Sequence, residues 1–149
     1  MGHHPDCSEF ESHTLRSGDR VLCAGCTGLA IGAGLSIVVM AAYVVVPMDL
    51  PLVMVYLLMG VGALLVVANY VEIAFFSLRP LNHALWNASM VVGFLFVVIG
   101  ILHLTGNPFV GLLGVVIAFL WLDTRIQISS WKHSETCGAC SQECKAYLR

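Results

Sequence analysis

Four long apolar runs, separated by short polar or turn-forming connections, make up most of the chain. They cover approximately residues 27–46, 51–76, 84–104 and 108–128. Each is close to the ~20 residues that an α-helix rising ~1.5 Å per residue needs to cross a hydrocarbon core ~30 Å thick. The pattern predicts an all-α fold, an integral membrane four-helix bundle whose short connections favour an up-down order.

Polar segments flank the four predicted helices at both ends. Residues 1–26 form an N-terminal segment rich in Cys and His, and residues 129–149 form a Cys-rich tail. No positively charged stretch leads from the polar start of the chain directly into a short apolar region, so we expect no cleaved signal peptide. We therefore divide the chain into two terminal segments and a membrane part, residues 27–128.

The composition supports insertion into a lipid bilayer. Hydrophobic residues make up 58% of the chain and charged residues 11%, whereas about 25% of the residues of a soluble domain are charged. With a net charge of −2 and no polybasic tract, nucleic acid is not an expected partner. Gly28 and Gly32 form a GxxxG pattern, which predicts close helix packing within the bundle, against other membrane subunits or in self-association.

The distribution of basic residues predicts the orientation. All Lys and Arg residues fall on the side of the termini and the middle connection, and the other two connections have none. Positive charge is retained on the cytoplasmic side of a membrane, so both termini are expected in the cytoplasm and the protein in the cell (inner) membrane. The basic residues are Arg16, Arg20, Arg79, Arg125, Lys132, Lys145 and Arg149.

Two CxxC knuckles flank the membrane part of the chain. One is Cys23-Ala24-Gly25-Cys26 and the other is Cys137-Gly138-Ala139-Cys140. Thiols on the cytoplasmic side stay reduced, which favours metal ligation or redox chemistry over structural disulfides. A CxxC turn lets two thiolates bind one ion, and zinc and iron-sulfur clusters both accept such ligands.

The candidate ligands can be grouped in two ways, and the sequence leaves both groupings open. It also leaves open the choice between zinc and an iron-sulfur cluster. In the first grouping the two knuckles meet in one four-cysteine site. In the second there are two sites of three cysteines and a histidine each. One consists of Cys7, Cys23 and Cys26 with His4 or His13, and the other of Cys137, Cys140 and Cys144 with His133.

Residues 7–34 resemble a known family. An upstream Cys7 is followed by Leu22-Cys23-Ala24-Gly25-Cys26-Thr27-Gly28-Leu29, which runs into a glycine-rich helix. This stretch is similar to the domain of unknown function 2085 family of small prokaryotic membrane proteins, whose hallmark is a CxRCTG-like knuckle. Here Gly25 replaces the arginine of the family, and Ser8 stands where the family tends to carry histidine. The resemblance implies a small membrane protein and gives no activity.

Several polar residues lie within or near the predicted spans. Glu72 is a candidate functional residue, because an ionisable group in a membrane helix is costly unless it is paired or hydrated. A salt bridge from Glu72 to Arg79 is the structural alternative. Asn69 and Asn87 are expected to hydrogen-bond between helices. The remaining pair, Asp123 and Arg125, is expected to lie at the membrane interface.

Three functions are compatible with these features. The leading one is a non-catalytic subunit of a membrane complex with a cytoplasmic Cys-ligated metal centre, and a redox or electron-transfer complex is one candidate for that complex. The second is a membrane thiol-disulfide oxidoreductase that uses the CxxC pairs, although no cysteine lies in the membrane or on the far side to receive electrons. The third is a transporter or channel component that uses Glu72. We assign no catalytic residue and do not expect an enzyme on its own.

Overall fold

Four long α-helices form most of the computed structural model, which describes residues 14–17, 20–46, 49–75 and 79–139. All four are long and apolar enough to cross a membrane. This confirms the prediction of a multi-pass membrane protein. The helices are α1 Ala24–Val45, α2 Leu52–Phe75, α3 Pro80–Thr105 and α4 Pro108–Ala139.

Local sequence explains where α3 begins and ends. Pro80 lies in its first turn, where the fixed φ of proline suits the helix and no amide hydrogen is needed. Gly106 follows the last residue with a φ of 60°, the left-handed conformation that glycine adopts without strain. The helix therefore begins at Pro80 and not at residue 84 as predicted, and it includes His83.

The fourth helix continues well past its predicted end at residue 128. It runs to Ala139, and residues 129–137 contain no proline or glycine that would stop it. The part apolar enough to span a membrane ends at Trp131. The last turns of α4 therefore extend the helix beyond its membrane-spanning part.

A short β-hairpin that the sequence analysis did not predict precedes α1. Its strands are β1 Thr14–Ser17 and β2 Arg20–Cys23. They pair antiparallel, with Thr14 opposite Cys23. Because α1 begins at the next residue, Cys23 is both the last residue of β2 and the N-cap of α1.

The third helix is central, and it packs against α1 and α2 more closely than against α4. Gly28 is buried so tightly that a Cβ there would overlap the carbonyl oxygen of Ala84, and a Cβ on Gly32 would lie 2.8 Å from the carbonyl oxygen of Ala88. The predicted close packing of the GxxxG face is thus confirmed, and it occurs within the chain.

The buried apolar core is small and lies mainly on α3. In the most apolar part of each helix, 33% of the residues of α3 are buried, against 11% for α1 and α4. The outward surfaces of α1 and α4 are apolar, which supports contact with lipid. The buried apolar side chains are Ala24, Val55, Ala84, Met90, Leu95, Val98 and Ile99.

A histidine links the helices at the end of the bundle that lies away from the knuckle. The Nε2 of His103 lies 3.2 Å from the carbonyl oxygen of Leu50, and its Nδ1 lies 3.4 Å from the hydroxyl of Tyr43. A neutral ring that donates from Nε2 can accept at Nδ1, so both bonds fit one tautomer. His103 thereby connects the end of α3 to α1 and to the segment before α2.

We expect Gly28→Ala to lower the free energy of unfolding by about 1–3 kcal/mol, because the added methyl group overlaps the backbone of α3. Thermal unfolding in detergent micelles measures the change. Gly34→Ala is the matched control on the same helix, since nothing lies within 4 Å of its Cβ position. Equal stability of the two variants would contradict the packing of α1 on α3.

Candidate functional site

The CxxC knuckle lies at the junction of the hairpin and α1. Cys23 is half-buried and Cys26, in the first turn of α1, is exposed; neither forms a disulfide bond. Their thiol groups are close enough to interact electrostatically, and the Thr27 hydroxyl donates to the carbonyl oxygen of Cys23 at 2.8 Å. The two thiols therefore form an adjacent pair on one turn, at the wall of a surface groove lined also by Leu22, Thr27, Ala30 and Ile31.

A set of buried or partly buried polar side chains, which we call the polar cluster, lies between α2, α3 and α4. It consists of Asn69, Glu72, His83, Asn87 and Arg125. Asn69, Glu72, Asn87 and Arg125 are 1%, 4%, 0% and 7% exposed. Polar residues so deeply buried in membrane helices mark functional sites by default.

Hydrogen bonds join the polar cluster across the helices. The Nδ1 of His83 lies 2.9 Å from Oε1 of Glu72, and Nδ2 of Asn69 donates to Oδ1 of Asn87 at 3.4 Å. The guanidinium of Arg125 donates to the same Asn87 oxygen. The predicted interhelical hydrogen bonding of Asn69 and Asn87 is confirmed, and the two residues are each other's partners.

Four atoms of the polar cluster have no hydrogen-bond partner among the described residues. They are Oδ1 of Asn69, Oε2 of Glu72, Nδ2 of Asn87 and Nε of Arg125. A buried polar atom without a partner costs about 1–3 kcal/mol. The cluster thus has two acceptors and two donors left to bind something else.

The polar cluster extends to the knuckle through Gly25. A Cβ placed on Gly25 would lie 3.5 Å from Nδ2 of Asn87, 3.7 Å from Nε2 of His83 and 3.9 Å from Sγ of Cys23. The knuckle, the histidine and the asparagine therefore face one another across this glycine.

The charge of Arg125 also connects the polar cluster to the CxxC knuckle. The Arg125 guanidinium lies within electrostatic range of the Glu72 carboxyl group and of the Cys23 and Cys26 thiols. Glu72 is the only buried acid among the described residues. The Arg125 guanidinium is thus near both the buried acid and the thiol pair.

The structure shows partners for Glu72 and Arg125 other than those predicted from the sequence. Glu72 pairs with His83 and not with Arg79, which is exposed. The interfacial pair expected between Asp123 and Arg125 was wrong, because Arg125 is buried and bonds Asn87 while Asp123 accepts from Gln127 at 2.7 Å. The two residues lie on different sides of α4, one facing α3 and the other exposed.

Sequence reasoning missed His83. It fell in the polar connection before the predicted start of the third helix at residue 84. Pro80 is the signal that could have found it, because proline favours the first turn of a helix. A helix that starts at Pro80 includes His83 one turn before Asn87.

Most of the predicted metal ligands lie outside the described residues or have no described side chain. His133 and Cys137 belong to the last turns of α4. Among the side chains that the structure describes, no three His, Cys, Asp or Glu residues come together in a way that could hold a metal ion. The metal site stays a prediction. The ligand candidates outside the described residues are His4, Cys7, His13, Cys140 and Cys144.

Comparison with known proteins adds no functional assignment. No family model, curated protein or solved structure matches the chain. The resemblance to the domain of unknown function 2085 family stays a prediction, and the function is argued from the geometry.

We expect Arg125→Leu to lower the free energy of unfolding by about 1–3 kcal/mol, because it removes the buried hydrogen bond that Arg125 donates to Asn87. Denaturant unfolding in detergent micelles measures the loss.

Asp123→Asn is the control for this series. Asp123 is exposed and bonds only its helical neighbour Gln127 among the described residues. Its replacement should change the free energy of unfolding by no more than about 0.5 kcal/mol. If Arg125→Leu and Asp123→Asn have equal effects, the polar cluster does not hold α4 in place.

Proposed function

We propose that this protein is a non-catalytic subunit of a membrane complex and carries a Cys-ligated metal centre at the end of the bundle that holds the knuckle. The observation that supports this most is the register of the β-hairpin, which pairs Thr14 with Cys23. The hairpin returns the N-terminal segment to the knuckle. The thiols of Cys23 and Cys26, already adjacent, supply two ligands from one turn.

The same register favours His13 over His4 as the histidine ligand. Opposed residues of an antiparallel pair have Cα atoms about 4.5–5.5 Å apart, and consecutive Cα atoms are about 3.8 Å apart. His13 directly precedes Thr14 in the sequence, whereas His4 is ten residues away, so His13 needs the shorter stretch of chain to reach the knuckle. Cys7, six residues earlier, completes the proposed first ligand set of Cys7, His13, Cys23 and Cys26.

The length of α4 favours a separate second ligand set. Arg125 lies at the level of the knuckle, and α4 remains helical to Ala139. At a rise of ~1.5 Å per residue, position 137 lies ~18 Å farther along the helix axis. We therefore prefer two sites to one four-cysteine site. The second set consists of His133, Cys137, Cys140 and Cys144.

The proposal includes an up-down order of the helices, with both termini on the cytoplasmic side. Helix contacts support the order. The first helix runs parallel to α3, because Gly28 contacts Ala84 and Gly32, farther along α1, contacts Ala88. The second helix runs antiparallel to α3, because Asn69 bonds Asn87 and the later Glu72 bonds the earlier His83. The distribution of basic residues supports the orientation.

The contact between the two thiols also favours a second candidate, a membrane thiol-disulfide oxidoreductase. Oxidation of Cys23 and Cys26 to a disulfide forms one S–S bond and releases two electrons and two protons to a disulfide or quinone-type acceptor. Cys23 is the N-cap of α1 and Cys26 lies in its first turn, so the two thiols need little movement to form that bond. Metal content distinguishes this candidate from the first.

We expect the anaerobically purified protein to contain two metal sites, as zinc or as iron with acid-labile sulfide. The two sites should be independent, because position 137 is far along α4 from the knuckle. Cys23→Ser/Cys26→Ser and Cys137→Ser/Cys140→Ser should then each lose about half of the metal. Loss of all metal in either variant would indicate one shared site.

The pair His13→Ala and His4→Ala tests the hairpin argument within the first ligand set. His13→Ala should lower the metal content and His4→Ala should leave it unchanged. A metal-free wild-type protein with titratable Cys23 and Cys26 thiols would contradict the metal centre and favour the oxidoreductase.

A further inference from the structure

The polar cluster joins α2 to α3 at two successive levels. Asn69 bonds Asn87 at one level, and Glu72 lies 2.9 Å from His83 at the next. Asn69 and Glu72 are three residues apart on α2, and side chains with this spacing are neighbours on one face of a helix, with Cβ atoms about 5–6 Å apart. The carboxyl group of Glu72 is therefore next to the side-chain amide of Asn69.

Arg125 determines which atoms of the two asparagines are acceptors. A guanidinium can only donate, so the Asn87 atom that Arg125 bonds is the oxygen Oδ1. The Asn69 atom that bonds the same oxygen is then the nitrogen Nδ2. The Asn69 atom left without a partner among the described residues is therefore Oδ1, an acceptor.

One carboxyl oxygen of Glu72 also lacks a partner. Oε1 is bonded to Nδ1 of His83, whereas Oε2 has no hydrogen-bond partner in the described part of the chain. Asn69 and Glu72 are 1% and 4% exposed, so bulk water does not reach these oxygens. Two neighbouring side chains of α2 thus each have a buried acceptor without a donor, which is unfavourable.

A single proton on Oε2 of Glu72 supplies the missing donor. A protonated carboxyl group donates from its hydroxyl and keeps an acceptor on its other oxygen. The hydroxyl of Glu72 donates to Oδ1 of Asn69, while Oε1 still accepts from His83. Both oxygens then have a partner, and a proton needs no cavity of its own. Protonation also removes the cost of an ionised carboxylate in a membrane helix.

Titratable groups from three other helices lie near Glu72 or near its charged neighbour. They are His83 on α3, Arg125 on α4 and the thiol pair of the knuckle at the start of α1. Arg125 favours the ionised form of Glu72, but it donates to Asn87 and forms no ion pair with Glu72 among the described residues. The burial of Glu72 and the lack of a donor to Oε2 favour the protonated form.

We propose that Glu72 and Asn69 form a binding site for one proton between α2 and α3. The Glu72 carboxylate takes up the proton at Oε2 and becomes a neutral carboxylic acid, whose hydroxyl donates to Asn69. The proton comes from the aqueous phase at the near end of α2, since Glu72 lies one turn before the last residue, Phe75. The site uses no residue of the proposed metal centre, so it stands apart from that proposal.

Infrared spectroscopy of the full chain at neutral pH, in micelles of an ester-free detergent, tests this site. The carbonyl band of a protonated carboxyl group is separate from the amide bands and from the bands of ionised carboxylates. We expect this band in the wild type and its loss in Glu72→Gln, because exposed acids are ionised at neutral pH. Asp123→Asn is the matched control and should keep the band, since it makes the same acid-to-amide change at an exposed position.

Asn69→Leu tests the hydrogen-bond partner of the bound proton. Without the Asn69 acceptor, the carbonyl band of Glu72 should move to higher frequency or lose intensity. The proposal is overturned if the wild type shows no such band, if Glu72→Gln keeps it, or if Asn69→Leu leaves it unchanged.

Selective ¹³C labelling of glutamate in the wild type decides the matter if the variants do not fold. The band should then move to lower frequency, because Glu72 is the only buried acid among the described residues. A band that does not move with the label would belong to another group and would overturn the proposal.

Discussion

The close approach of α1 and α2 to α3 is the constraint on which the rest of the structure depends. In a bilayer the lipid tails are as apolar as the side chains, so helices associate through close van der Waals packing and hydrogen bonds. Gly28 and Gly32 let the backbone of α1 touch that of α3, and Gly62 and Gly93 face each other between α2 and α3. Only at this short distance can the knuckle of α1 reach Asn87.

The fourth helix is attached in a different way. Gly111 and Gly114 contact side chains of α3 and not its backbone, so α4 packs less closely than the other two. Its polar link within the described part of the chain is the bond from Arg125 to Asn87. Asn87 thus joins three helices, so the polar cluster holds α2, α3 and α4 together in addition to being a candidate functional site.

Periodicity and composition predict the parts of this molecule that depend on local sequence. The four spans and the tight face at Gly28 follow from apolar length and small residues. The pairing of Glu72 with His83 does not follow from the sequence, because it depends on how α2 and α3 are rotated about their axes. His83 also lay outside the predicted helix. The burial of Arg125 likewise depends on how α4 is rotated about its axis. The hairpin was missed because strands of four residues give no clear alternation.

The unequal lengths of the helices place the start of α1 and the end of α4 at different heights. The first knuckle opens α1 where the membrane-spanning part begins, and α4 continues from Trp131 to Ala139 beyond its spanning part. Eight further helical residues rise ~12 Å. A soluble protein can therefore reach the last turns of α4 from the aqueous phase without touching the bilayer. The N-terminal knuckle is within reach of lipid headgroups and of neighbouring membrane helices.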